Sequence, residues 1–169
     1  MSKGDYNSER GAALIMSMIF LLVLTVIGMA GMDVTSLEEK MAGNMRDRNA
    51  AFQAAEAALR DGEDFLNTQA VLPAFDGSGG FYALTTDGTK NWEVVNWANS
   101  AAVISYDGPG FDELNSTAAY IVEDLAAAAT SDSLETGVPV DNKRYYRVTS
   151  RAEGLSDTTV VILQTVYKR

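Results

Sequence analysis

A chain of 169 residues is enough for one domain, or one domain with an appendage, and too short for two full cores. Its formal net charge of −10 disfavours non-specific nucleic-acid binding, which needs a basic face to displace counterions from phosphate. Histidine and cysteine are absent, which excludes a Cys/His zinc site, a thiol nucleophile, a disulfide framework and a histidine general base. The lack of cysteine does not assign a redox compartment. The charge is unevenly spread: residues 12–60 sum to −1, residues 61–142 to −13 and residues 143–169 to +4. Such a distribution reads as a solvated acidic face beside a basic hairpin.

Residues 12–32 form a stretch of twenty-one residues without a charge, AALIMSMIFLLVLTVIGMAGM, between Arg10 and Asp33. As a helix it would be about 32 Å long, the thickness of a bilayer's hydrocarbon core of about 30 Å. A core helix apolar on every face would be out of place in so small a protein, so the segment reads as a transmembrane helix. Lys3 and Arg10 precede it and Lys40, Arg46 and Arg48 follow it, too even a balance to set topology by charge. The short N-terminal tail, by analogy with signal anchors, places the remainder across the membrane. Two maturation routes compete with a plain anchor. Gly28-Met29-Ala30 satisfies the small-residue rule for signal-peptide cleavage after Ala30. Alternatively, the abrupt change from the polar SERG to the apolar AALI marks a cut after Gly11 that leaves the helix on the mature chain.

The helical pattern continues past the span. Val34, Leu37, Met41, Met45, Phe52, Ala55, Leu59 and Leu66 recur at helical spacing and predict one apolar stripe, with Glu38, Glu39, Lys40, Arg46, Asp47, Arg48, Gln53, Glu56 and Arg60 on the other faces. Six alanines between Ala50 and Ala58 add helix propensity. Asp33, Thr35 and Ser36 could cap a fresh start at the membrane exit, but nothing forces a break. Residues 12–66 are thus expected to form one helix on the order of 80 Å long. Gly28, Gly31 and Gly43 each cost about 1 kcal/mol against alanine. Gly28 and Gly31 fit either close helix packing in the membrane or local unwinding.

Beyond residue 66 the texture changes to turn signals, Pro73, Asp76 to Gly80 and Asp107 to Gly110, with strand-like runs between them. Strands are expected over 81–85, 92–97, 103–106, 120–125, 143–151 and 158–167, with 153–157 closing a hairpin and 126–129 in a short helix or loop. The expected fold is α+β: a leader over 1–11, a long helix over 12–66 whose distal half packs on a small antiparallel sheet, and a β-rich head over 67–169.

Sites for chemistry are sparse. Asp107, Asp112, Glu113, Glu123 and Asp124 could attract a hard cation, but lack calcium-loop spacing and read as scattered surface acids. Asp112 and Glu113 make no glycosidase pair, since neighbours in sequence project apart. Asp61-Gly62-Glu63 has no phosphate-loop lysine. Asn115-Ser116-Thr117 matches a glycosylation sequon, a short and common pattern. Trp92 and Trp97 read as core rather than as a ligand platform. No enzyme, cofactor or metal is expected.

The blocks Arg10-Gly11-Ala12, Leu37-Glu38-Glu39-Lys40-Met41-Ala42-Gly43-Asn44, Arg46-Asp47-Arg48, Phe52-Gln53-Ala54-Ala55-Glu56-Ala57-Ala58-Leu59 and Tyr146 to Arg151, with residues 161–169, cover roughly half the chain. They resemble the PilX family of type IV pilus minor pilins. The resemblance implies a long helix against an antiparallel sheet and removal of residues 1–11 by prepilin peptidase between Gly11 and Ala12, with N-methylation of Ala12. It implies a single-pass inner-membrane subunit, its C-terminal domain periplasmic, that later joins the extracellular pilus at its tip. It further implies other minor pilins, the major pilin and a large tip adhesin as partners, and roles in priming, twitching motility and adhesion. Gly28, Gly31, Phe52 and Leu59 would serve assembly. Most pilins carry a glutamate five residues into the mature chain; here that position is Met16. A proline that breaks the helix of major pilins and their C-terminal disulfide loop also have no counterpart. The alternatives are a minor pseudopilin of a type II secretion system and, from a different class, a periplasmic domain released after Ala30.

Overall fold

The computed structural model describes residues 6–85, 87–111, 113–125 and 144–169. Their elements in chain order are α1 (Tyr6–Thr68), β1 (Phe81–Ala83), α2 (Asn91–Val94), β2 (Ile104–Ser105), β3 (Ala119–Asp124), β4 (Tyr145–Glu153) and β5 (Val160–Lys168). The chain falls into two compact units, Met1–Met45 and Arg46–Arg169.

The first unit is helix throughout its described length. α1 begins at Tyr6 and runs without interruption through Gly28, Gly31 and the Asp33 to Ser36 segment, so none of these ends a helix. Its most apolar eighteen-residue window has a mean hydropathy of 2.6 and none of it is buried; by length and composition it can cross a membrane. The polar side chains within the span do not spoil that surface. Ser17 Oγ donates to the Leu14 carbonyl at 2.8 Å and Thr25 Oγ1 to that of Leu21 at 2.7 Å, so each hydroxyl is satisfied by its own helix.

The second unit carries the core. Strand order is β1-β3-β4-β5, with β2 also paired to β3. β3–β4, β4–β5 and β2–β3 are antiparallel, whereas β1 runs parallel to β3, Phe81 opposite Val122. The sheet is therefore mixed, not purely antiparallel: β1 and β3 are separated by a long excursion containing α2 and β2, long enough to return the chain in the same direction. Residues 92–97, expected as a strand, instead contain the helical turn α2. Trp92 and Trp97 face the cluster of Val103, Ala119 and Ile121 on one side of the sheet. The remaining strands appear near their expected places, β1 and β2 shortened, and of the expected hairpin connection 154–157 lies between β4 and β5 while Glu153 is the last residue of β4. The readings for 126–129, Lys143 and Asp112 lie outside the described residues.

On the other side of the sheet, Tyr120, Val122, Tyr146, Val148 and Ala152 pack against the distal part of α1. The buried helical stripe is Ala51, Ala54, Ala55, Ala58, Gly62 and Leu66: it keeps Ala55 and Leu66 of the expected stripe but not Phe52 or Leu59. Phe52 remains 44% exposed and Leu59 packs only partly against the core. The reason is steric. Small side chains let the helix backbone approach the sheet closely, and Phe52 and Leu59 are displaced to the flanks. Gly62 marks the closest point: a Cβ there would lie 2.6 Å from Val148 Cγ1 and 3.0 Å from Tyr120 Cδ2.

Candidate functional site

The first candidate site is an exposed helical surface. Gly11 and Ala12, expected at a processing junction, are exposed within α1. Met16 is 60% exposed, and its neighbours Leu14, Ile15, Ile19, Phe20, Leu21 and Leu22 are comparably open. Met carries no charge and no strong hydrogen-bonding group, so this stretch offers a partner only apolar contact. A Cβ at Gly28 or Gly31 would meet nothing, so within a single chain neither glycine is required by packing. Further along, Val34, Leu37, Met41 and Met45 are exposed as well. Half of the predicted stripe is thus left without a partner in the isolated subunit.

A second set of residues positions the head. Asp47, expected on an outward face, is only 9% exposed. Its carboxylate accepts from Ser156 Oγ at 2.5 Å, Thr159 Oγ1 at 2.7 Å, Ser156 N at 3.3 Å and Leu155 N, all in the β4–β5 connection. Gly154 makes room for this clasp, since a Cβ there would fall 2.1 Å from Asp47 Oδ1. The hydroxyl donors of Ser156 and then Thr159, with the two backbone N–H groups, hold the Asp47 carboxyl down to about 2. A second tie lies farther along the helix. Burial, and next the charge of Asp61 and its hydrogen bond to the phenol, raise the Tyr120 hydroxyl above its ordinary value. The tie to the β4–β5 connection has a weak signal in the sequence, the acid in Arg46-Asp47-Arg48 and the Ser/Thr-rich turn over a hundred residues later. Nothing local says that the two meet.

Among the described residues, the acids considered for a cation do not converge. Glu123 is 1% exposed on the sheet face opposite α1 and sits 3.5 Å from Arg147 Nη1, with Asn91 Nδ2 donating to it at 2.9 Å. Asp124 is on the alternate face and lies 3.5 Å from Arg144 Nη1. Among the described residues no three acidic side chains come together as a metal site. Asn115, in the sequon, donates its amide to Glu153 Oε2 at 2.7 Å. The first unit offers a partner apolar contact, and within the second unit polar ties hold the sheet to the distal part of α1.

Residues 10–60 match the family model for the PilX N-terminal region, and residues 49–169 match that of the type IV pilus assembly protein PilX C-terminal region. No curated protein and no solved structure matches the chain.

Proposed function

The chain belongs to the PilX family of type IV pilus assembly proteins, and from that premise we propose that this minor pilin joins a priming set at the fibre tip. There it supports twitching motility and adhesion in a structural, non-catalytic role. Its partners are other minor pilins, the major pilin, a large tip adhesin and, during maturation, prepilin peptidase. Before assembly it is held in the inner membrane with the head in the periplasm.

The observation that carries this reading is the bare apolar helix, exposed along its whole uncharged length. At about 25 cal/mol per Å² of apolar surface, leaving such a span in water would forfeit tens of kcal/mol. In the bilayer, lipid covers it; on extraction, neighbouring apolar helices must take lipid's place. Assembly is then an exchange of one apolar environment for another, and the subunit never exists as a free monomer in water.

Cleavage between Gly11 and Ala12 keeps the helix on the mature subunit and places Met16 five residues in. A glutamate at that position would neutralise a neighbour's terminal amine inside the low-dielectric fibre, where an unpaired charge is costly. Met16 offers no such partner, which suits a subunit ahead of which no amine awaits neutralisation. The alternative cut after Ala30 would pass through a continuous helix and discard the surface that assembly uses.

N-terminal sequencing of protein from sheared pili tests the processing. A start at methylated Ala12 is expected, and a start at Gly31 in a soluble periplasmic product overturns the reading. Immunogold labelling tests the position: the wild type should label the tip, and Met16→Glu should spread label along the shaft. Labelling along the shaft by the wild type would refute the tip assignment.

A further inference from the structure

On the sheet face opposite α1, a cavity of about 390 Å³ opens between the Trp97 loop and the ends of β2, β3 and β4. Its size falls within the range of about 300–1,000 Å³ typical of small-molecule sites. One wall is the indole of Trp97, held in place because its Nε1–H donates to the Trp92 carbonyl at 3.1 Å and its ring packs on Val103 and Ala119. A ring fixed in this way is a flat apolar platform whose only polar atom is already engaged.

Ala98, Val103 and Ala119 add apolar lining, and the polar remainder carries no net charge. Ser100, Ser105, Ser116 and Thr117 bring four hydroxyls to the cavity. The side chains of Ser100, Ser105 and Thr117 make no hydrogen bond among the described residues, so each retains a donor and acceptor capacity. Arg151 and Glu153 complete the rim as an ion pair at 2.8 Å whose charges cancel; Glu153 Oε2 is already taken by the Asn115 amide at 2.7 Å, so the hydrogen-bonding capacity left at this rim is that of the Arg151 guanidinium. Neither a phosphate nor an acidic peptide fits this balance, because the one cation present is already neutralised. An extended apolar peptide would leave the hydroxyls unmatched.

We propose that this cavity binds a neutral saccharide, one face of the sugar ring lying on Trp97 and its hydroxyls meeting Ser105, Thr117 and the charge-balanced Arg151 guanidinium. Aromatic stacking against the aliphatic face of a ring, together with hydroxyl partners and a planar guanidinium at its edge, is the complement of a polyhydroxylated ring. The proposal stands on the head alone and does not depend on how the subunit enters a fibre.

The test uses the full chain in a detergent without a sugar headgroup. Saturation-transfer NMR would be recorded against glucose, galactose, mannose, N-acetylglucosamine and lactose, with an oligo-aspartate peptide as the charged probe. At least one sugar should show saturable transfer, competed by the same sugar and not by the peptide. Ser105→Ala combined with Thr117→Val should weaken it about tenfold, the scale of a hydrogen bond or two. Both positions are exposed, so these variants retain the fold even if Trp97→Leu does not. Trp97→Leu, where folded by near-UV circular dichroism, should abolish transfer. Absence of saturable transfer for every sugar, transfer unchanged in the double variant, or binding of the peptide alone would each overturn the proposal.

Discussion

Replacing Gly62 by alanine adds a single methyl group at the point where α1 lies closest to the sheet. That Cβ would stand 2.6 Å from Val148 Cγ1 and 3.0 and 3.1 Å from two atoms of the Tyr120 ring. Both neighbours are buried, and a valine at the centre of a sheet cannot swing aside as a long side chain would. Overpacking of this kind costs about 1–3 kcal/mol, and the absence of a compliant neighbour favours the upper part of that range. Against it stands the gain of about 1 kcal/mol from replacing a helical glycine by alanine. The net expectation is a loss of about 1–2 kcal/mol, or roughly 4–8 °C in Tm for a domain of this size. The assay is urea unfolding of a fragment beginning at Asp33, which drops the apolar span and retains the second unit. A double-mutant cycle with Val148→Ala isolates the cause, because removing Cγ1 vacates the space that the new methyl needs. In that background Gly62→Ala should be neutral or stabilising. Additivity to within about 0.5 kcal/mol, or a stabilised Gly62→Ala single variant, would refute the packing argument.

The Asp47 clasp has a pH signature. Its carboxyl lies at about 2 in the fold against an ordinary 3.8, so its stabilisation is complete above 3.8 and is lost as pH falls through about 2. Asp47→Asn should therefore be less stable than wild type at neutral pH, with the gap closing below pH 2; a gap independent of pH would be inconsistent with the clasp. Gly154→Ala should destabilise through the same contact and add little in an Asp47→Ala background, as chemical denaturation of the double variant would show. Arg147→Met leaves Glu123 buried without the guanidinium it faces. Breaking a fully buried pair costs about 3–5 kcal/mol, and Arg147, 29% exposed, should lose somewhat less, about 2–3 kcal/mol. Glu123→Gln should cost less than Arg147→Met in the same unfolding experiment, since it removes the charge instead of stranding it.

What could be read from the sequence was whatever depends on neighbours along the chain. An uncharged run between Arg10 and Asp33 is apolar on every helical face whatever it touches. The alanines of 50–58 favour a helix locally, and the branched, alternating residues of β4 and β5 with a short turn between them specify a hairpin. The acidic middle and the basic end are likewise properties of composition. The tertiary structure decided which helical face is buried. Spacing alone favoured the stripe through Phe52, Ala55, Leu59 and Leu66; the sheet's close approach keeps Ala55 and Leu66 but buries the small residues Ala51, Ala54, Ala58 and Gly62 in place of Phe52 and Leu59. It also decided the parallel pairing of β1 with β3, the helical turn at Trp92, and the meeting of Asp47 with Ser156 and Thr159 more than a hundred residues away. Each depends on a partner distant in sequence, and the energy of such a contact is set by where the rest of the chain has already gone.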